Sequence, residues 1–289
     1  MNDFIPSLKE LDRKTPGQVY LCQVSHKVSC GACCGLYNIK DPSEENLMAI
    51  LNHRTGVFRK TQRSEQAIDG FADFIGRMES QYRPLESFHH CPFIGFPNRN
   101  DPVVGCLLHP LADGNEGVDY RGLSYYGGYA CRSYFCPTVH QLPAEHKKIL
   151  RAAAPNWYLY GLVITEIEML KRFFEIIESR LEKPINADTI LHIPGAIEPI
   201  TNFFFLKPTW PFRKKGVNTL ANYVFHNQVY EFLWESVDYH KLGLKPSIWT
   251  PVFHALYSVF TSAKEVMKAE SLLDDLVAQF LNNFSKRLS

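Results

Sequence analysis

No cysteine follows Cys136 in this chain of 289 residues, although eight cysteines lie at or before it. Thiols scattered through an ordinary core would not segregate so sharply, so the chain reads as a cysteine-bearing half and a cysteine-free half. An excess of either charge is missing too. The 31 Lys and Arg residues face 30 Asp and Glu, a balance that points to neither nucleic acid nor an anionic membrane as partner. No apolar run approaches the roughly 20 residues that a membrane span needs. The opening MNDFIPSLKELDRK has no apolar segment before a small-residue cleavage site. The sequence therefore predicts a cytoplasmic protein whose thiols stay reduced. GxGxxG, HExxH and CxxxCxxC are all absent, which removes the sequence support for a Rossmann cofactor site, a zinc protease or radical chemistry. Gly122 and Gly127 have the spacing of a phosphate loop, but Gly128 and Tyr129 stand where that loop needs Lys and Ser or Thr. There is no internal repeat and no low-complexity tract.

With 45% hydrophobic residues the chain can bury a sizeable core without covalent staples. The predicted class is mainly α: an irregular cysteine-rich metal-binding module over residues 1–140, followed by a helical domain over 141–289. In the first part, Asp41 and Pro42 predict a helix start. Ala67, Ile68, Phe71, Phe74, Ile75 and Met78 share one face of a second helix. From Pro84 to Pro143 the text is loop-like, dense in Gly, Pro, Asn and Asp, and a metal cross-link would supply the order that regular secondary structure does not. In the second part, Tyr160, Val163, Ile167, Leu170, Phe174, Ile177 and Leu181 predict one amphipathic helix ending before Pro184. Asn186 to Arg213 reads as a connector with at most a short strand. Helices are predicted over Thr219 to Tyr239, from Thr250 as N-cap with Pro251 behind it, and over Ser271 to Lys286, the last burying Leu272, Leu273, Leu276, Phe280 and Phe284.

The cysteines fall in blocks: Cys22, then Cys30-x2-Cys33-Cys34, Cys91-Pro92-Phe93, Gly105-Cys106, and Cys131-x4-Cys136-Pro137. Two residues between thiols let a tight turn aim both at one centre, and such pairs combined with distant cysteines suit zinc or an iron–sulfur cluster. Disulfides are disfavoured by a reducing compartment, and neighbouring Cys33 and Cys34 cannot bridge without strain. Four sulfurs saturate a structural zinc, so eight would fill two zinc sites. A cluster is larger, takes thiolates from several directions and accommodates an adjacent pair better, which favours iron–sulfur. His89, His90 and His109 stand near these blocks. With thiolates already sufficient, these three read as hydrogen-bonding neighbours rather than ligands. Arg132 either places positive charge beside the thiolates, as a cofactor-binding residue, or pairs with Asp119 or Glu116. Tyr120, Tyr125, Tyr126, Tyr129 and Tyr134 crowd the same stretch.

The blocks CGACC, CPF, GCLLHP and CRSYFC, in that order, resemble the zinc- or iron-chelating CxxCxxCC family. The resemblance runs from Ser29 to Pro137 and implies metal ligation by Cys30, Cys33, Cys34, Cys91, Cys106, Cys131 and Cys136. Two departures stand out. The family's first cysteine falls at Lys27, so its role passes to Cys22 or His26 or is lost. The family's short Arg-Pro spacer is replaced by the longer run between Cys106 and Cys131. Some members are similar to flagellin lysine N-methylases, which implies methyl transfer as one activity. The reading is a metal-binding protein, with an iron–sulfur cluster in a redox or group-transfer role and a protein or redox partner. Its rival is a structural zinc module whose helical half binds a protein.

Overall fold

The computed structural model describes residues 7–82, 90–99, 103–216, 223–226, 229–232 and 237–285, and the chain is mainly helical. Helix α1 (Leu8–Lys14) opens with a capping box between Ser7 and Glu10. Asp12 of that helix accepts from Arg151 at 2.7 Å and from the Tyr20 backbone N–H at 2.7 Å, fastening the first residues to the later helices.

Helix α2 (Glu44–Lys60) starts two residues after the predicted Pro42. Its N-cap is Ser43, whose hydroxyl accepts from Asn46 N–H, while Asp41 accepts from Ser43 N–H. Helix α3 (Glu65–Glu79) buries Ile68, Phe71 and Ile75 as the periodicity predicts, but Phe74 and Met78 are exposed. Beyond it the chain is largely irregular. The antiparallel pair β1 (Ile94–Gly95) and β2 (Gly105–Cys106) is followed by α4 (Gly127–Ser133) and α5 (Pro137–Gln141), two short helices where the sequence suggested loop. Helix α6 (Ala144–Ala153) leads into the helical half.

The single helix expected from Tyr160 to Leu181 is two, α7 (Trp157–Val163) and α8 (Ile167–Leu181). The chain turns at Glu166, whose carboxylate points inward to the buried Lys207 ammonium. An ion pair formed inside the core thus breaks a helix that local periodicity would have continued. The connector expected over Asn186 to Arg213 is instead α9 (Ala187–Leu191) and α10 (Glu198–Thr209). Pro199 occupies the first turn, where its missing N–H costs nothing. Ile200, Phe203, Phe204 and Lys207 then recur at helical spacing on the buried side.

Within Thr219 to Tyr239, where a helix was expected, the described residues form an antiparallel hairpin of β3 (Tyr223–His226) and β4 (Val229–Phe232). Tyr223, Val224, Phe225, Val229, Tyr230 and Phe232 are the aromatic and β-branched types that favour extended pairing. Helix α11 (Thr250–Ala255) has Trp249 rather than Thr250 as its N-cap. Helix α12 (Ala263–Ser285) begins eight residues before the expected start and leaves Leu272 exposed.

Helix α8 packs against α11 and α12, and α10 against α7 and α12. Phe173 and Phe203 stack at 4.0 Å between centroids in that core. The same apolar cluster extends into the first half through Val19, Leu21, Val28, Leu36 and Tyr37. A second, smaller cluster of Phe58, Ile68, Phe71, Ile75, Cys91, Phe93, Leu107 and Leu108 lies between α2, α3 and the irregular segments. Among the described residues no helix is long and apolar enough to cross a membrane.

Candidate metal centre

The first cysteine block is held by a tight loop and a short turn. Cys30 N–H donates to the Cys22 carbonyl at 2.8 Å, and Gln23 bridges to Ser29, which brings Cys22 back against Cys30. His26 sits in the loop between them and is exposed. Residues Ala32–Cys34 form one 3-10 turn closed by Gly35 at φ 80°, a conformation that favours glycine. Space at Gly31 is tight. A Cβ there would stand 2.5 Å from Ile94 Cδ1 and 3.0 Å from Leu36 Cδ2, so the ends of these buried side chains would have to shift to admit one.

Cys91 is fixed from two sides. Its N–H donates to the Cys34 carbonyl at 2.9 Å. Its own carbonyl accepts from Arg54 at 3.1 Å, and the same guanidinium reaches the Ile94 carbonyl at 3.3 Å while pairing with Glu79. Both charged side chains are nearly buried. The sequence carries a faint signal for this: Leu47, Leu51, Arg54 and Phe58 share one face of α2, and an arginine on a buried face demands acceptors. Cys106 lies opposite Ile94 in the β1–β2 pair. The loop beyond it is ordered by polar side chains. Asn115 donates to the Leu107 and His109 carbonyls, both at 2.8 Å, and accepts from Arg63 at 2.7 Å. Metal cross-linking was expected to supply order along this stretch, and these hydrogen bonds already supply part of it.

Cys131 is exposed on α4, with the Ser124 hydroxyl 3.1 Å from its sulfur. Cys136 immediately precedes α5. Arg132 donates to Gly128 O at 2.8 Å and lies 3.6 Å from Asp119, the salt-bridge alternative among the two open for it. A second cation, Arg121, also acts on the thiols. It binds Asp119 at 2.8 Å, hydrogen bonds that hold that carboxyl down at about 2, and its charge eases the ionisation of Cys106 and Cys131. No sequence spacing distinguished Arg121.

None of the eight cysteines is in a disulfide, and they form one electrostatic neighbourhood. Burial is the main cause raising Cys22 and Cys30 well above the usual thiol range, and each is raised further by Cys33 and Cys136. Burial likewise raises Cys106, Cys131 and Cys136. Cys34 is raised by hydrogen bonding to Cys33 and Cys91, and the same bond from Cys34 draws Cys33 downward. Four phenols stand close by and were missed or undervalued in the sequence: Tyr20, Tyr37, Tyr126 and Tyr160, each raised first by burial and then by neighbouring thiols. Tyr125 and Tyr129 are exposed instead. As they stand, no three His, Cys, Asp or Glu side chains among the described residues converge tightly enough to hold a metal ion. The thiols are neighbours, not a closed coordination shell.

His90 is buried. His109 is half-buried, its proton affinity lowered by burial and by Arg121, and its Nδ1 accepts from Leu111 N–H at 3.2 Å. His89 lies outside the described residues. A cavity of about 390 Å³ lined by Glu168, Arg172, Ser247, Pro251 and His254 opens in the helical half, and no cysteine lines it. Comparison with protein-family models, with curated proteins and with solved structures finds no match for this chain.

Proposed function

We propose that this protein binds metal through its clustered thiols, as an iron–sulfur protein acting in electron transfer or in a group-transfer reaction. The observation that carries the reading is the gathering of eight thiols, none in a disulfide, from segments more than a hundred residues apart, into one mutually interacting neighbourhood. Uncompensated, such a set is costly to ionise, because burial and like charges both oppose it. A bound cation or cluster reverses that balance. The soft, all-sulfur donor set fits iron–sulfur and zinc alike. Thiols that adjoin one another without closing on one point suit a body larger than a single ion. Cys22 supplies the sulfur that the CxxCxxCC pattern lacks at Lys27. Such ligation fits the reducing cytoplasm, and the exposed Cys131, flanked by exposed Tyr125 and Tyr129, offers a redox partner its closest approach.

The test is an absorption spectrum with iron, zinc and sulfide analysis on protein purified without oxygen. A brown sample with broad absorbance near about 400 nm, iron and acid-labile sulfide is expected of thiolate-held clusters. A colourless protein holding zinc and no sulfide overturns the redox reading and leaves a structural zinc protein.

A further inference from the structure

The adjacent cysteines do not face the same surroundings. In a 3-10 turn successive side chains are about 120° apart around the axis, so Cys33 and Cys34 within Ala32–Cys34 leave the backbone in different directions, while their sulfurs still hydrogen-bond to each other. Cys30, Cys33 and Cys136 pack against the main apolar core. Cys91 belongs to the second core, with Cys106 packed against it, and Cys34 touches both cores.

The backbone ties divide the same way. Cys22 is bonded to Cys30. Lys147 joins Val139 of α5, the helix that follows Cys136, to Gly17, just upstream of Cys22, through hydrogen bonds of 2.7 and 3.2 Å. On the other side Cys34 is bonded to Cys91, Cys106 lies opposite Ile94, and Tyr120 and Leu123, which lead to Ser124 and Cys131, pack on the second core. Two phenols lie on either side: Tyr160 near Cys30, Cys22 and Cys136, and Tyr126 near Cys34 and Cys91, with Cys33 of the junction within its reach as well. Cys33 sits at the junction: it hydrogen-bonds Cys34 and lies near Cys91, and it is also the leading thiol neighbour of Cys22, Cys30 and Cys136.

We infer that the eight thiols form two metal centres of four thiolates each, Cys22, Cys30, Cys33 and Cys136 at one and Cys34, Cys91, Cys106 and Cys131 at the other, meeting at the adjacent pair. The inference rests on the metal-binding reading above. Two four-thiolate sites use every cysteine and leave none over, which answers why two thiols stand side by side: one turn serves two centres. Either occupant of the native protein, zinc or an iron–sulfur cluster, meets the same partition. The centres differ in access, since the only exposed cysteine, Cys131, belongs to the second.

Cobalt(II) titration of the full, reduced, metal-free chain tests this through the thiolate-to-cobalt charge-transfer band, counting equivalents retained against a competing chelator. The wild type is expected to retain two equivalents. Cys30→Ser and Cys106→Ser each retain one, and Cys30→Ser with Cys136→Ser still retains one. The deciding variant is Cys33→Ser with Cys34→Ser, which loses both equivalents if the pair is split and keeps one if both thiols serve a single centre. Saturation of the wild type at one equivalent, or an equivalent surviving in the Cys33, Cys34 double variant, overturns the partition while leaving metal binding intact. A wild type that retains no cobalt overturns the metal-binding reading and the partition with it. The wild-type stoichiometry decides even if a variant fails to fold.

Discussion

Arg54 is the residue whose loss should be felt most widely around the thiols. Its guanidinium, 4% exposed, holds the Glu79 carboxylate, 11% exposed, and the carbonyls of Cys91 and Ile94. Arg54→Met keeps the apolar stem and removes every one of these bonds. Breaking a buried pair from one side leaves the other charge uncompensated, at about 3–5 kcal/mol. Freed carbonyls that water cannot reach add to this, at about 1–3 kcal/mol for an unsatisfied group. The net expectation is a loss of about 4 kcal/mol, a large share of the 5–15 kcal/mol typical of a folded domain. Arg54→Met combined with Glu79→Leu removes both charges, so its cost should fall to the carbonyl contribution, about 1–3 kcal/mol. Urea unfolding, followed by far-ultraviolet circular dichroism and tryptophan fluorescence at matched metal content, measures both values. Matched loading matters because a ligand bound only to the folded state adds stability of its own. A single variant within about 1 kcal/mol of wild type, or a double variant as damaged as the single one, would refute the account.

Two further perturbations probe the helical half and its junction with the thiols. Gly161, inside α7, lies under the buried Tyr37 ring, and a Cβ there would overlap Tyr37 Oη, Cζ and Cε2. Helix propensity alone would make Gly161→Ala stabilising by about 1 kcal/mol. Overpacking of about 1–3 kcal/mol should reverse the sign, and Tyr37→Leu should restore it, in the same urea assay; a Gly161→Ala protein as stable as wild type contradicts this packing. Lys207 is fully buried against Glu166 and the Ala255 carbonyl, and burial lowers its pKa from 10.5 to about 8. Below that range both folded and unfolded chains hold its proton. Between the two values the unfolded chain binds more protons, so stability should rise with pH by at most about 1.4 kcal/mol per pH unit. The stability of wild type relative to Lys207→Met, measured from about pH 8 to 10, isolates this effect, and a difference that stays flat or falls with pH rules it out.

By itself the sequence determined the inventory. It gave the eight thiols, their confinement to the first half, the CxxCC spacing with its glycine, and a mainly helical remainder, because these are properties of composition and local periodicity. The buried face of α3 and the inward Leu273, Leu276, Phe280 and Phe284 of α12 were legible for the same reason: a 3.6-residue repeat survives whatever the helix packs against. Only the tertiary structure decided where periodicity is interrupted and which side chains meet. The break at Glu166 exists because Lys207, forty-one residues later, lies in the same core. Asp119 accepts Arg121 in two short hydrogen bonds and meets Arg132 more distantly, a pairing that only the folded loop sets. Cys34 touches both apolar cores and Cys33 only the main one, because two cores built from distant segments meet at this turn. Spacing along a chain gives each thiol its reach, and the packing of distant segments chooses its neighbours.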